Sequence, residues 1–126
     1  MKSVAHTYAE KALKSIRAVE ADVGCNSKDY GRVCLLFPSM VQVNGLRLTV
    51  AFFESKGKNN SQSVHLRFLN DLVAALDIKS FDDEFTTNNM TDYRDLTQRA
   101  LQASVWFKRY AEAILKVEAA DVMDNE

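Results

Sequence analysis

Apolar side chains recur with the 3.6-residue period of an α-helix in three parts of the chain. The longest pattern runs from about Thr91 to Val117. Its apolar stripe consists of Tyr93, Leu96, Ala100, Ala103, Phe107, Ala111, Ile114 and Leu115. Because this period continues without a break, it predicts a long C-terminal helix whose stripe faces a core.

The first of the two shorter patterns lies between Ser3 and Val23. Its stripe consists of Val4, Tyr8, Ala12, Ile16, Val19 and Val23. Gly24 follows directly, and glycine is a common helix terminator because it tolerates the left-handed backbone conformation. We therefore expect a helix from about residue 3 to residue 23.

The second shorter pattern lies between Ser61 and Asp77, with Ser61 available as an N-cap. Its stripe consists of Val64, Phe68, Leu69, Leu72, Val73 and Leu76. His65 lies on this apolar face and is expected to pack in the core. Arg67 and Asp71 lie opposite the stripe, so the helical wheel predicts that both face solvent.

Two polar segments separate the predicted helices. Residues 55–62 contain glycine and several amide side chains, and residues 80–89 contain the acidic run Asp82-Asp83-Glu84. Both are expected to be surface loops. We expect the acidic run to be solvated rather than to bind a metal, because neighbouring side chains of an extended loop point in opposite directions.

The segment from Met40 to Val50 fits two different secondary structures. Its apolar and polar residues alternate around Asn44-Gly45, a dipeptide typical of a type I′ β-hairpin. The same residues fit two short helices joined at Asn44-Gly45, with Gly45 as a left-handed stop. Pro38 would then kink the first helix or begin a new one. An isolated hairpin would need its own partner layer, which favours the two helices.

Composition indicates one folded domain. The chain has 126 residues, 47% of them hydrophobic, and a single proline. We expect one helical bundle over residues 1–126, with a frayed tail after about residue 120. No apolar run approaches the roughly 18 residues of a membrane span, and the N-terminal residues lack the apolar core of a signal peptide. A cytoplasmic protein without membrane contact is therefore expected.

Charge is balanced overall but uneven along the chain. The formal net charge is -1, so nucleic-acid binding would require a local basic patch. Residues 1–67 hold ten basic and five acidic residues, and residues 68–126 hold six and twelve. Such polarity suits head-to-tail contact between copies, or a basic face beside an acidic face, and it also arises by chance on mixed solvated surfaces.

Residues able to perform chemistry are few and scattered. Cys25 and Cys34 form no metal-binding motif and are expected to be free thiols. His6 is one helical turn before Glu10, which is typical of a surface pair. The sequence contains no catalytic nucleophile motif and no glycine-rich phosphate loop. We therefore expect no enzyme activity, no metal, no cofactor and no small-molecule substrate.

Two segments resemble a known family. The run YGRVCLLFPSMVQVNGLRLTVAFFESKGK, residues 30–58, contains Tyr30, Phe37-Pro38-Ser39, Asn44-Gly45-Leu46, Ala51-Phe52 and Ser55-Lys56-Gly57 in the order and spacing of the small α-helical subunit of the Cmr effector. Cmr is the type III-B CRISPR complex. The run LTQRALQASVWFKRYAEAIL, residues 96–115, resembles the C-terminal helix of that family, with its block of Trp106, Lys108 and Arg109.

The resemblance implies an all-α fold, a bundle of about five to six helices with a long C-terminal helix, and it favours helices around Gly45. It also implies a non-catalytic subunit in antiviral defence, stacked in several copies beside the guide RNA. The partners so implied are other Cmr subunits, further copies of this chain, guide RNA and target RNA. Such a subunit needs only to hold the phosphate backbone, since the two RNA strands recognise each other by base pairing.

Candidate RNA-binding residues follow from the resemblance and from charge. Lys56, Lys108 and Arg109 match positions of the family pattern. The positions of charged residues add Lys58, Arg32, Arg47 and Arg67. Lys56 and Lys58 are expected on a loop. Without the resemblance, the cations of the long helix would be interpreted as an ordinary solvated face.

A different function is also consistent with the sequence. Trp106, on the flank of the long helix beside Arg99, either caps the edge of the core or contacts a neighbouring subunit, because tryptophan is enriched at interfaces. The alternative to an RNA-binding subunit is therefore a protein-only adaptor that binds its neighbours without touching RNA.

Overall fold

The computed structural model describes residues 3–60, 62–87 and 89–118, and within them the secondary structure is helical. The helices are α1 Val4–Ala21, α2 Ser27–Asn44, α3 Leu46–Lys56, α4 Val64–Leu76, α5 Phe81–Thr87 and α6 Met90–Tyr110. A π-helical turn, Ala111–Leu115, extends α6. The all-α prediction with a long C-terminal helix is confirmed. The expected frayed tail after residue 120 lies outside the described residues.

Short polar side chains begin four of the helices. The N-caps of α1, α2, α4 and α6 are Ser3, Asn26, Ser63 and Asn89, and each accepts a hydrogen bond from a backbone N–H of the first turn. The α4 helix begins at Val64, so Ser63 performs the capping function that the sequence suggested for Ser61. Ser61 itself lies outside the described residues.

The segment around Gly45 forms two helices rather than a hairpin. Gly45 separates α2 from α3 with φ of 85°, a conformation that favours glycine. Pro38 lies inside α2 and is buried, although it lacks the N–H that would bond to the preceding turn. The hydroxyl of Tyr93 accepts a hydrogen bond from the Arg47 backbone N–H at 3.0 Å, which joins this junction to α6.

The helices pack around an aromatic core centred on Phe68. The ring of Phe68 contacts four other rings at centroid distances of 5.2 to 6.2 Å. These rings belong to Tyr30, Phe37, Phe53 and Phe107. Through them α4 is held to α2, α3 and α6. The α6 helix also packs on α1, so α6 contacts α1, α2 and α4, whereas α3 packs on α2 and α4.

Because α1 and α2 pack directly on α6, the basic first part of the chain interleaves with the acidic second part. The charge polarity of the sequence therefore does not become two separate halves of the molecule.

The ends of the predicted helices and of their apolar stripes differ from the sequence prediction. Val4 and Val23 are exposed, with relative exposures of 63% and 105%, because α1 ends at Ala21 and the ends of the apolar stripe extend past the neighbouring helices. The long helix becomes π-helical at Ala111 and stops before Lys116, which has φ of 60°. Val117 is nevertheless buried.

The acidic segment forms a helix rather than an extended loop. Residues Phe81–Thr87 form α5, whose first turn is capped by the Ser80 hydroxyl, which accepts from the Asp83 N–H at 3.0 Å. The carboxylates of Asp82, Asp83 and Glu84 lie in this first turn, where the helix dipole favours negative charge.

Asp71 is not in solvent. It is half-buried and accepts a hydrogen bond from the fully buried Tyr30 hydroxyl.

Candidate nucleic-acid interface

A polar cleft of about 490 Å³ lies at the end of the bundle where α1 and α3 end and where α2 and α4 begin. Its lining includes Asn26, Lys56, Asn60, Ser63, His65 and Arg67. The residues that line it come from two segments of the chain, residues 22–29 and residues 56–67. We refer to this feature as the terminal cleft.

At the terminal cleft, the turn that follows α3 packs closely against α4. Gly57 is buried there, and a Cβ atom at this position would collide with the side chain of Leu66. The absence of a side chain therefore lets the end of α3 pack against the first turns of α4. Lys56 is the last residue of α3, not a loop residue as predicted, while Lys58 follows in the turn and is exposed.

The cations near the terminal cleft differ in their surroundings. The Lys56 ammonium lies 5.1 Å from the centroid of the Phe52 ring and forms no ion pair with the carboxylates of the described residues. Arg67 donates to Asp22 at 2.7 Å. This hydrogen bond raises the pKa of Arg67 and lowers the pKa of Asp22. Lys56 is therefore a free cation, and Arg67 is a paired one.

Arg32 is also engaged. Its guanidinium bonds to Asp29, and its buried Nε has no hydrogen-bond partner among the described residues. Neither Arg32 nor Arg67 presents a free charge to a ligand, because each is neutralised by an aspartate.

His65 packs against aromatic rings, as the sequence predicted, and it also lines the terminal cleft. Its ring lies 5.1 Å from the Phe53 ring and 6.2 Å from the Phe52 ring. Burial and the nearby Lys56 ammonium lower the pKa of His65, against a weaker opposing effect of Asp29. A lowered pKa keeps the imidazole neutral at pH 7.

A second basic surface lies on the last turn of α6. Lys108 and Arg109 are exposed there, and the Arg109 guanidinium lies 5.1 Å from the centroid of the half-buried Trp106 ring. Trp106 stacks on Tyr110 with a centroid distance of 6.1 Å. We refer to Trp106, Lys108, Arg109 and Tyr110 as the α6 patch.

The two remaining predicted site residues, Arg47 and Arg99, make contacts within the chain. Arg47, at the opposite end of α3 from Lys56, places its guanidinium 5.4 Å from the centroid of the Phe85 ring. Arg99 donates to the Leu76 carbonyl oxygen at 3.0 Å, so it joins α6 to the end of α4. This contact gives Arg99 a structural role inside the subunit.

The structure thus brings Lys56 and Arg67 together in the terminal cleft, whose lining includes none of the residues of the α6 patch. Sequence reasoning missed Asn26 and Asn60 in the terminal cleft. The capping preference of asparagine was a signal for Asn26.

Other kinds of site find little support in the described ranges 3–60, 62–87 and 89–118. Those residues contain no group of three or more His, Cys, Asp or Glu side chains arranged to hold a metal ion. Cys25 and Cys34 are free thiols, as predicted. None of the helices described is long and apolar enough to cross a membrane.

Comparisons with known proteins agree with this architecture. The model of the family described as "CRISPR-associated protein (Cas_Cmr5)" matches residues 4–114. The "CRISPR system Cmr subunit Cmr5" of Thermus thermophilus is 30% identical over 119 residues, which cover 92% of this chain and 99% of that protein. The crystal structure of a CRISPR-associated Cmr5 family protein from Thermus thermophilus superposes with a TM-score of 0.80 and 28% identity, covering 91% of this chain and 99% of that one.

Proposed function

The chain belongs to the Cas_Cmr5 family of CRISPR-associated proteins, and from that premise we propose that it is a non-catalytic, RNA-contacting small subunit of the type III-B Cmr effector complex. In this role it stacks along the duplex of guide and target RNA in the cytoplasm, and it supports target binding and assembly of the complex. The resemblance of residues 30–58 and 96–115 to the small Cmr subunit agrees with the family assignment.

The observation that carries this proposal is the exposure of Lys108 and Arg109. Both side chains are exposed, and neither forms an ion pair with a carboxylate of the described part of the chain. Cations without a carboxylate partner are available to phosphates, and the counterions released from the RNA favour binding. Lys56 and Lys58 supply a second basic position near the terminal cleft, whereas the charges of Arg32 and Arg67 are engaged by aspartates and Arg47 lies at the opposite end of α3.

Contact of this kind suits a chain with a formal net charge of -1. A few cations are enough to bind the phosphate backbone of an A-form duplex. The protein need not recognise the sequence, because the guide strand recognises the target by base pairing. We expect the isolated chain to bind RNA weakly and with strong salt dependence, and firm retention to require the assembled complex.

A non-catalytic role agrees with the surroundings of the reactive side chains. Burial raises the pKa of the Cys34 thiol well above its usual range, so this cysteine is a poor nucleophile. His65 has a lowered pKa, but it packs against Phe52 and Phe53 rather than against a nucleophile. In the proposed complex, cleavage of RNA belongs to other subunits.

Contacts with other subunits or copies of this chain are supported by exposed apolar side chains near Gly45. Val43, Leu48 and Met90 are 82%, 65% and 67% exposed at the end of the bundle where α2 ends and where α3 and α6 begin. Clustered apolar exposure of this kind is typical of protein contacts. The terminal cleft lies at the opposite end, so one end of the bundle is polar and the other exposes apolar side chains.

The α6 patch also supports the alternative function of a protein-only adaptor. Trp106 is half-buried, stacked on Tyr110 and overlaid by Arg109, and aromatic and arginine side chains are enriched where binding energy concentrates in protein interfaces. In this alternative, Arg109 contacts a protein neighbour and RNA is never touched.

Photo-crosslinking of the assembled complex distinguishes the two functions. The complex is purified with guide RNA, bound to target RNA carrying 4-thiouridine, irradiated and digested. The proposal predicts crosslinked peptides that contain residues 106–110 or 54–60 of this chain. Peptides of α1 that contain Lys14 and Arg17 serve as the internal control. Crosslinks confined to other subunits would favour the adaptor.

A further inference from the structure

Two asparagine side chains of the terminal cleft offer amide NH₂ donors, while the oxygen atoms of the same amides already accept hydrogen bonds. The side-chain oxygen of Asn26 accepts from the Asp29 N–H at 3.1 Å, and that of Asn60 accepts from the Gln62 N–H at 3.0 Å. The amide NH₂ groups of both asparagines have no acceptor among the described residues. Two fixed donors are therefore available to a ligand.

The charge of the terminal cleft favours an anion. Its two carboxylates, Asp22 and Asp29, are each bonded to an arginine. Lys56 is left as a cation whose ammonium has only the face of the Phe52 ring beside it among the described contacts. An ammonium group retains donors for an anion when it lies over a ring, because the ring face binds the charge without accepting strong hydrogen bonds.

The size of the terminal cleft suits a ligand larger than a single ion. Its volume of about 490 Å³ falls within the range of about 300–1,000 Å³ typical of small-molecule sites. His65 forms part of its wall, and the ring, which is neutral at pH 7, offers both a donor and an acceptor. An anion with a polar heterocycle attached would use both the cationic and the neutral part of this lining.

We propose that the terminal cleft binds a nucleotide, with the phosphate held by Lys56 and by the amide groups of Asn26 and Asn60, and with the base beside His65. This inference rests on the proposed function for the choice of a nucleotide over other anions, and it deepens that function by naming a binding site. The phosphate belongs either to an RNA strand or to a free nucleotide, which share the same acceptor oxygens.

The two histidines of the chain make the test direct. His65 lines the terminal cleft, and His6 is exposed on α1, where it pairs with Glu10. NMR of the imidazole protons of the full chain is recorded during titration with inorganic phosphate, uridine 5′-monophosphate and oligouridylate. The proposal predicts a saturable shift of the His65 resonances with a nucleotide ligand, while the His6 resonances stay in place.

Two substitutions assign the binding to the named donors. Lys56→Ala removes the cation, and Asn26→Asp keeps a capping oxygen for the Asp29 N–H but replaces the NH₂ donor by a negative charge. Each is expected to weaken nucleotide binding about tenfold or more, the loss expected for one charge-assisted hydrogen bond. Lys14→Ala, an exposed lysine of α1, removes the same charge elsewhere and should bind as the parent does. Circular dichroism checks that each variant is folded.

The ligands and the assembled complex separate the possible outcomes. Tighter binding of oligouridylate than of the mononucleotide assigns the site to an RNA strand, and the reverse assigns it to a free nucleotide. The proposal is wrong if His65 does not shift, if only inorganic phosphate binds, if oligoglutamate shifts His65 equally, or if both variants bind normally. If the terminal cleft binds no nucleotide but variants of Lys108 and Arg109 lose target capture, the proposed function stands and only this inference is wrong. A bound nucleotide with no capture defect in any variant would contradict the proposed function instead.

Discussion

The hydroxyl of Tyr30 donates a hydrogen bond to the carboxylate of Asp71 across the contact between α2 and α4, with 2.5 Å between the two oxygen atoms. Tyr30 is fully buried, and Asp71 is half-buried. Burial raises the pKa of both groups, and the hydrogen bond from Tyr30 partly offsets this rise for Asp71. A polar pair thus lies next to the aromatic core, where each group depends on the other.

Tyr30→Phe is expected to destabilise the fold. The substitution keeps the ring against Phe68 but leaves the Asp71 carboxylate without its donor, which costs about 1–3 kcal/mol for a hydrogen bond to a charged group. The free energy of unfolding is measured by urea titration with circular dichroism. Tyr8→Phe is the control, since Tyr8 is buried but has no hydroxyl partner among the described residues. Equal midpoints for the two variants would show that the bond is unimportant.

Asp71→Asn should change how stability depends on pH. Burial raises the folded-state pKa of Asp71 above its usual value, against the opposing effects of Tyr30 and Arg67. The native state therefore holds this proton more tightly than the unfolded chain. Its contribution to stability is present below the ordinary carboxyl pKa and is lost as pH rises through the raised pKa. Asparagine does not titrate, so this loss is absent from the variant.

Urea titrations of both proteins between about pH 3 and pH 7 measure the difference, since the ordinary pKa of aspartate is about 3.9. The stability of Asp71→Asn relative to the parent should rise with pH over this range. Parallel curves, or a relative stability that falls with pH, would contradict the assignment. Cys34 and Arg67 also face Asp71, but they keep their charge states over this range.

The sequence predicted which face of a helix is buried, because this depends on local periodicity. It did not predict contacts between side chains of different helices. The α6 stripe from Leu96 to Phe107 is buried as expected because one period fixes one face of a helix. The helical wheel of α4 predicted that Asp71 faces solvent, because a wheel describes one helix only. The hydroxyl that contacts Asp71 belongs to Tyr30 of α2, 41 residues away in the sequence. Helix ends were also missed, as Val23 shows, since burial there depends on the extent of the neighbouring helices.

The periodicity of the sequence predicted neither the short helix α5 nor the terminal cleft, for different reasons. The seven residues of α5 span too few turns to display a period, although Ser80 followed by acidic residues is a helix-start signal. The terminal cleft joins two segments, residues 22–29, which supply Asn26, and residues 56–67, which supply Lys56, Asn60 and His65. No spacing along one segment predicts such a meeting, which is set by how the helices pack.

Gly57→Ala should destabilise the protein through a collision with Leu66. The φ of Gly57 is −99°, which alanine adopts freely, so the effect reports packing rather than backbone strain. Overpacking of this kind costs about 1–3 kcal/mol. Unfolding free energies are compared for Gly57→Ala, Leu66→Ala and the double variant.

Leu66→Ala removes the atoms that the new Cβ meets, so the double variant should lose less stability than the sum of the two single variants. Coupling of about 0.5–3 kcal/mol is expected for residues in contact. Additive losses would mean that the turn after α3 relaxes and that Gly57 is not required for the close approach of α3 to α4.

Contact between the α6 patch and RNA is tested most directly by the affinity of the assembled Cmr complex for target RNA. The Lys108→Glu/Arg109→Glu variant is compared with Lys14→Glu/Arg17→Glu, which makes the same charge change on exposed residues of α1. Both complexes are first checked for full assembly and guide content. Binding is then measured at two salt concentrations.

The variant of the α6 patch should bind target RNA about tenfold or more weakly, with a shallower salt dependence, because two phosphate contacts are lost. The α1 variant should bind as the parent does. If the complex with glutamate at positions 108 and 109 assembles normally and binds target RNA with the affinity and salt dependence of the parent, Lys108 and Arg109 do not contact RNA.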